Sequence, residues 1–583
     1  MTVAAILLPF DRQAMAMKLL LTTLHAKYAH SSLALPSLAA HCQSLPEVSI
    51  SIREWTVHDP REYLLRLIMA EQADLVAFSC YIWNIEQTLK IASDIKKLAP
   101  KTVIVLGGPE VSFGIFDCMQ LHHSIDYIIK GEGEVPFRAL LSELIQPDSS
   151  GRSERLARID NLFYRDEGDI TSGPVNGSYV ELDTLPSPFA AGLVDMAKPL
   201  TYYETSRGCP FSCAFCLSSV EESVRSFSME RIEQDLLLLM QLEVPQIKLV
   251  DRTFNYDARR ANQIWNFILQ HNRTSRFHFE IAADLLTDDN MELLCCVPDN
   301  CFHFEIGVQS TSAATLERVG RRADLSRIFA AVARLKKETK IEIHLDLVAG
   351  LPGEDYSGFL DSLQMVAQAR PDMLQVEPLK VLKGAPMRTI AAREQYLFSD
   401  APPYTILGNP WLDFTDICRI ETIGRLLDLI AKNGHFKATF RTVEYHLRFA
   451  HILDQMARQV GNDNLSSLSS RRVFELVARL AGPLLPAEQQ PLLCDALFYD
   501  YCHMEMPMMG KLPAFVADRQ QHCSWPGRTE LPNEVLVPDG SRVKSFRYTF
   551  ATDFREGTAR SGPTTVTFAY ISLAGKGLRI VVR

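Results

Sequence analysis

Three cysteines, Cys209, Cys213 and Cys216, stand in the run Arg207-Gly208-Cys209-Pro210-Phe211-Ser212-Cys213-Ala214-Phe215-Cys216. Thiolates are soft ligands suited to iron–sulfur clusters, and a C-x3-C-x2-C spacing packs three of them onto one tight loop. A 4Fe-4S cluster held by three cysteines keeps one iron without a protein thiolate, open to a small chelating ligand. The alternative is zinc. Zinc usually takes four ligands from two separated pairs, commonly C-x2-C twice, and no matching second pair stands nearby. Three bare thiols on an exposed loop would be an oxidation liability. The spacing therefore predicts a cluster on Cys209, Cys213 and Cys216, in a reducing compartment.

Such a loop needs a strand to deliver it and more strands around it. Residues 200–204 form a candidate strand just before the cysteines, followed by 246–250, 278–282, 303–307, 341–348 and 373–378, with helical stretches between them. Six strands alternating with helices over 200–394 suit a parallel barrel or partial barrel. Polar residues gather at the strand ends, where such folds carry their sites: Glu280 and Asp284, then Glu305, Gln309 and Ser310, then Gly350 to Glu354, and Glu377.

Residues 17–144 repeat the alternation on a smaller scale, with candidate strands at 18–24, 48–55, 74–79, 103–106 and 126–129. The continuous apolar runs are those of buried parallel strands, so a doubly wound, Rossmann-like α/β domain is expected. Its strand-end loops hold Ser79-Cys80-Tyr81, Gly107-Gly108-Pro109-Glu110 and Gly131-Glu132-Gly133-Glu134, and a further loop runs from His25 to Ser32. Glycines there let the backbone approach a bulky ligand. Each alone reads first as a tight strand-to-helix turn, but three in one domain predict a ligand crevice. Residues 145–199 read as a linker with a hairpin around 171–177. Residues 395–583 read as a C-terminal domain, helical where Ile417, Ile420, Ile423, Leu426, Leu427 and Ile430 repeat, and again at Val473, Phe474, Val477 and Leu480. It ends in a small antiparallel sheet, where Phe546, Tyr548 and Phe550, then Val566, Phe568 and Tyr570, alternate.

The bulk numbers agree with a multidomain globular chain. A length of 583 residues predicts three or four domains. A net charge of -10 leaves no electrostatic footprint for nonspecific nucleic-acid binding, so no nucleic-acid partner is expected. Thirteen cysteines are too sparse for a disulfide scaffold. No apolar stretch approaches the roughly 20 residues of a membrane span, and the first residues make a poor signal peptide. A cytoplasmic location without membrane attachment follows. Met17 precedes a much better strand, so residues 1–16 read as a dispensable extension or a misassigned start.

The cysteine loop, following the first strand of a six-strand β/α region, resembles the radical S-adenosylmethionine (SAM) superfamily over roughly residues 200–394. The resemblance implies that SAM chelates the open iron. One electron, from a reductant such as flavodoxin or ferredoxin, then splits its carbon–sulfur bond to give a 5′-deoxyadenosyl radical. It also implies that Phe215 and the segment at Gly350 lie near the adenine and that Gln309 and Ser310 face the cofactor. Asp251-Arg252-Thr253-Phe254-Asn255 stands where many members carry a Gly-Gly-Glu segment for the methionine amino group, which is a departure.

A doubly wound domain ahead of such a barrel is similar to the cobalamin-binding subclass, and the loops FSCYIWN, GGPE and KGEGE carry the likeness. This implies cobalamin contacts from Ser79, Cys80, Tyr81, Gly107, Gly108, Gly131 and Glu132. The D-x-H-x-x-G segment is absent, so no histidine is assigned to cobalt. The whole layout, including Pro402-Pro403-Tyr404, resembles an uncharacterised bacterial group with its own C-terminal domain.

The expectation is a cobalamin-dependent radical SAM methyltransferase, or a related rearrangement enzyme, acting on an unactivated carbon of a small-molecule or peptide substrate. A methylthiotransferase would need a second cluster, for which Cys42, Cys80 and Cys118 are available, although Cys42 and Cys118 fall in helical stretches. A redox or cobalamin sensor without catalysis is the remaining alternative. No side chain is singled out as catalytic.

Overall fold

The computed structural model describes residues 16–582 except 149, 176–178, 221–222, 433, 445–446, 461–464, 466–467, 509–510, 517–521, 527–540, 556–559 and 574–576. The expected N-terminal extension therefore lies almost wholly outside the described residues. The first sheet contains β1 (Met17–His25), β2 (Val48–Thr56), β3 (Leu75–Ser79), β4 (Val103–Gly107) and β5 (Tyr127–Ile129), in the order β2-β1-β3-β4-β5, with every pair parallel. Alternate side chains of one strand feed two cores, as the period of two requires. Leu19 and Leu21 pack with Leu35, Phe137 and Leu141 on one face. Leu20 and Leu24 pack with Leu64, Ile91 and Ile95 on the other. Helices thus cover both faces, which gives the doubly wound arrangement expected. Its strand order reverses between β1 and β3, the point where such folds open a crevice at the carboxyl ends.

The stretch read as a linker contributes to this sheet. β6 (Leu162–Asp166) pairs antiparallel with β5, and β7 (Asp169–Ser172) pairs antiparallel with β6. A hairpin turns at Glu167-Gly168, ahead of the expected 171–177, of which 176 and 177 lie outside the described residues. Both turn residues have positive φ, 48° and 99°, the signature of a two-residue turn whose twist matches its strands. The run Asp166-Glu167-Gly168-Asp169 is polar, with the composition of an ordinary loop.

The second sheet has six strands in simple chain order: Leu200–Tyr203, Gln246–Leu249, Arg276–Glu280, Phe302–Gln309, Glu342–Ala349 and Met373–Pro378. This is the expected parallel sheet, with helices in the connections. One face of it is apolar and dense, with Phe277, Phe279, Phe302 and Phe304 around Trp265, all buried. The opposite face carries Tyr202, Lys248, His278 and His303 in register across the first four strands.

The chain divides into two compact units, Met1–Ile306 with Val319–Glu342 and Lys380–Ile406, and Gly307–Arg318 with Ile343–Leu379 and Leu407–Arg583. The cut falls inside the fourth strand of the second sheet. In the second unit, the helix Phe414–Lys432 buries all six of its periodic apolar residues, and the helix Ser470–Ala481 buries Val473, Phe474, Val477 and Leu480. The chain ends in antiparallel strands Arg542–Asp553, Arg560–Leu573 and Gly577–Val582, as the alternating aromatics predicted. Phe546, Tyr548 and Phe550 pack edge-on or tilted against Phe498. Among the described residues, no helix is long and apolar enough to cross a membrane.

Candidate active site

The cysteine loop leaves the first strand of the second sheet through a rigid exit. Asp251, fully buried, accepts the Thr205 N–H at 3.0 Å and the hydroxyls of Thr205 and Ser206 at 2.5 Å each. Burial raises its pKa even so, while these donors pull it down. Arg260 donates to the Thr205 carbonyl oxygen at 2.8 Å. The segment that stands where many members carry Gly-Gly-Glu thus has its first carboxylate committed to holding the loop.

Arg207 comes next, with its guanidinium at 2.7 Å from both Glu204 and Glu134 and 3.3 Å from Glu132. Arg225, on the far side of the loop, pairs with Glu132 as well. Glu132 and Glu134 belong to the KGEGE loop of the first sheet. Two carboxylates from a strand-end loop of one sheet therefore hold the two arginines that bracket the cysteine loop of the other. Glu134 keeps a lowered pKa, because the charge and hydrogen bonds of Arg207 outweigh its burial. Glu204 goes the other way: burial raises its pKa beyond what Arg207 recovers.

Gly208 turns the chain at φ 93° into the cysteines. Cys209 Sγ lies 3.5 Å from the Thr253 hydroxyl, and Arg321 donates to Cys213 Sγ at 3.6 Å. Cys213 is buried, which raises its thiol pKa, and the nearby guanidinium counters that. Cys216 is half-buried, as is Phe215. The loop is clamped at Ala214, whose N–H donates to Val319 O and whose carbonyl accepts from Met387 N, both at 2.8 Å. Gly320, at φ 64°, lies so close that a Cβ there would meet Ser212 O at 3.2 Å. Three soft donors on one braced loop, one accepting a guanidinium N–H at its sulfur and one beside a hydroxyl, suit a thiolate-held cluster.

The other strand-end residues of the first sheet divide into framework and surface. Ser79 is buried, and its carbonyl accepts from Thr23 and Asn84. Cys80 is buried with its thiol pKa pushed up by burial. Its N–H donates to Gly107 O, and its carbonyl accepts from Glu110 N. Gly108 has φ 103°, and a Cβ would come within 2.6 Å of Cys80 O. Gly108→Ala is therefore expected to lower stability by about 1–3 kcal/mol, read as a shift of the urea midpoint. An unchanged midpoint would mean the turn relaxes freely. Gly131, at φ 71°, faces open space, so backbone there is approachable. Tyr81 stacks on Trp83 at 4.5 Å, and Trp83 stays 45% exposed, the kind of flat surface a large ligand can cover. In the loop 25–32, His25 pairs with Glu54 at 2.8 Å, and His30 hydrogen-bonds to the Tyr202 hydroxyl. Cys42 and Cys118 lie in the helices Ala34–Cys42 and Ile115–Leu121.

On the polar face of the second sheet, Lys248 sits 3.0 Å from Glu305 and 3.5 Å from Glu280, and His278 Nε2 is 2.7 Å from Glu305. Sequence reasoning passed over Lys248, His278 and His303. Their signal was a polar residue at every second position of an otherwise apolar strand. Burial pushes His278 down to about 4, although Glu305 pulls the other way. An unfolded histidine protonates near pH 6.5, so the unfolded chain takes that proton first. The stability carried by neutral His278 is full above about pH 6.5 and lost as pH falls toward 4. His278→Gln should flatten the fall in urea midpoint between pH 7 and pH 5. Parallel curves for variant and parent would contradict this.

In the second unit, Gln309 ends its strand at φ 70°, with its side-chain oxygen buried and without a hydrogen-bond partner. Ser310 donates to Glu354 at 2.6 Å, and Ser362 does so at 2.8 Å, so that buried carboxylate braces the strand end. Gly350 has φ 97°, and its carbonyl accepts from Asn409. Glu377 accepts from Gln375.

Comparison with known proteins finds three family models along the chain. A B12 binding domain matches residues 19–141, the Radical SAM superfamily matches 203–366, and a protein of unknown function (DUF4080) matches 394–524. The expected cofactor set of a 4Fe-4S cluster, SAM and cobalamin accords with the first two. Among curated relatives, the cobalamin-dependent radical SAM methyltransferase TokK of Streptomyces tokunonensis is 25% identical over 58% of this chain and 51% of its own. The 2-(S-pantetheinyl)-carbapenam-3-carboxylate methyltransferase of Streptantibioticus cattleyicolor is 27% identical over 54% of this chain and 48% of its own. The chain thus spans about half the length of these relatives. Among solved structures, the cobalamin-dependent SAM radical enzyme OxsB, with aqua-cobalamin and SAM bound, covers 84% of both chains at a TM-score of 0.56 and 15% identity. That likeness is one of fold.

Proposed function

We propose, from the joining of a B12 binding domain to a radical SAM domain in one chain, that this protein is a cobalamin-dependent radical SAM enzyme that transfers a methyl group to an unactivated carbon. The observation that carries the reading is the pairing of Glu132 and Glu134, from a strand-end loop of the first sheet, with Arg225 and Arg207 beside the cysteines. A ligand lying across the strand ends of the first sheet would then be near anything held by Cys209, Cys213 and Cys216. When bound, the cluster with SAM supplies a 5′-deoxyadenosyl radical, and cobalamin supplies the methyl group.

The residues have simpler tasks. Cys209, Cys213 and Cys216 would ligate three irons, and Thr253 and Arg321 would hydrogen-bond two of the sulfurs. Asp251, Arg260 and Arg207 hold the loop in place. Gly108, Gly131 and the Tyr81–Trp83 stack would offer a flat, approachable surface for the corrin. Lys248, Glu280, Glu305 and His278 would line the substrate side and fix its orientation. An external one-electron reductant of the flavodoxin or ferredoxin type completes the system, and the substrate is a small molecule or peptide.

The test is anaerobic reconstitution with iron, sulfide and hydroxocobalamin, followed by desalting and addition of SAM with a reductant. About four irons, one cobalt and 5′-deoxyadenosine are expected per chain. Iron and cleavage without retained cobalt would leave a radical SAM enzyme and remove the methyl-transfer reading. Folded protein with neither would return the loop to zinc.

A further inference from the structure

We propose that Arg321 sets the reducibility of the cluster by hydrogen-bonding the sulfur of Cys213, an inference that rests on the cluster assignment above. Cys213 is the buried member of the three cysteines, at 5% exposure, and so the sulfur least able to draw on water for stabilisation. Arg321 Nη1 stands 3.6 Å from it. A charged donor on a ligand sulfur is stronger than a neutral one, and it favours the state carrying the extra electron.

The contact is built into the backbone. Val319 O receives the Ala214 N–H at 2.8 Å, so the segment leading to Arg321 is fastened to the residue after Cys213. Gly320 presses against Ser212 where any side chain would have to push it away. Arg321 is thereby delivered to the sulfur by a turn with little room to shift.

The other sulfur contact differs in kind. Thr253 is neutral, and its hydroxyl also donates to Arg252 O at 2.8 Å, so its proton is shared. Arg207, closer in sequence to the cysteines, is already surrounded by Glu204, Glu134 and Glu132 and adds little net charge. Among the described residues, Arg321 is the cation hydrogen-bonded to a motif sulfur. Arg321 acts as a positioning residue through Cys213 and need not touch substrate.

The experiment is an EPR-monitored potentiometric titration of the full-length, reconstituted protein, comparing the parent with Arg321→Gln, Arg321→Lys, Thr253→Val and the neighbouring Arg322→Gln. Removing the guanidinium should make the cluster at least tenfold harder to reduce, a midpoint lower by about 59 mV or more for one electron. Arg321→Lys should recover most of that, Thr253→Val should lose less, and Arg322→Gln should match the parent. An unchanged midpoint in Arg321→Gln at full iron content would overturn the inference. Should Arg321→Gln not retain iron, the decision passes to Arg321→Lys and Thr253→Val. Arg321→Lys near the parent with Thr253→Val only slightly lower supports it, and a larger drop in Thr253→Val than in Arg321→Lys overturns it. A parent protein that assembles no cluster would instead refute the cluster assignment, with the Arg321 contact left as a structural one.

Discussion

Replacing Cys213 with alanine should drop the iron retained after anaerobic reconstitution from about four per chain to near background, and with it all 5′-deoxyadenosine. The physical case is strongest at this position. Cys209 and Cys216 are half-buried and water can reach them, whereas Cys213 is enclosed and its replacement leaves the Arg321 N–H without its sulfur. A three-thiolate cluster has no spare protein ligand, so the effect is close to all or none. The backbone of the loop is clamped at Ala214 independently of any sulfur, so the variant should fold and its circular dichroism should match the parent. Normal cleavage of SAM by folded Cys213→Ala protein would sink the central proposal.

The second large effect is on stability. Arg207→Met should cost about 3–5 kcal/mol, because it strands the enclosed carboxylates of Glu134 and Glu204 without their cation. Their side chains are only 9% and 19% exposed, so water cannot take over the role of the guanidinium. The loss should appear as a lower urea midpoint of the apoprotein. Replacing Arg207 and Glu134 together by apolar residues should recover part of it, since removal of both partners is gentler than removal of one. The pH dependence has a definite sign. Glu134 has a depressed pKa, so its stabilisation is full above the usual carboxylate range and is lost as pH falls through its folded value. Arg207→Met should remove that part of the acid sensitivity. A loss below about 1 kcal/mol would show that the cluster behaves as a surface ion pair.

What the sequence revealed depended on whether the signal was local. The parallel strands were legible because buried strands such as Leu75–Ser79 are unbroken apolar runs, and the cysteine loop because its spacing is read within eight residues. The terminal sheet was legible through alternating aromatics. The hairpin Leu162–Ser172 was misplaced because its turn residues, Glu167 and Gly168, look like any polar loop until their positive φ values are known. The ion-pair cluster was invisible for a different reason. Glu132 stands 75 residues before Arg207 and 93 before Arg225, and no pattern within either segment names the other. The resemblance to the cobalamin-binding subclass implies a corrin contact from Glu132. Its carboxylate is engaged with the two arginines, and Gly131 beside it faces open space. Arg321 was missed likewise, since only the fold carries it to Cys213.

The clamp on Ala214 also bears on how the protein is made. Its two bonds come from Val319 and Met387, both synthesised long after the cysteines. At about 5–20 residues per second, a ribosome needs roughly 10–35 s to travel from Ala214 to Met387. Until Val319 and then Met387 are made, Ala214 lacks the two bonds that clamp the loop in the folded protein. Iron and sulfide delivered before Met387 is made would meet a loop without its full clamp.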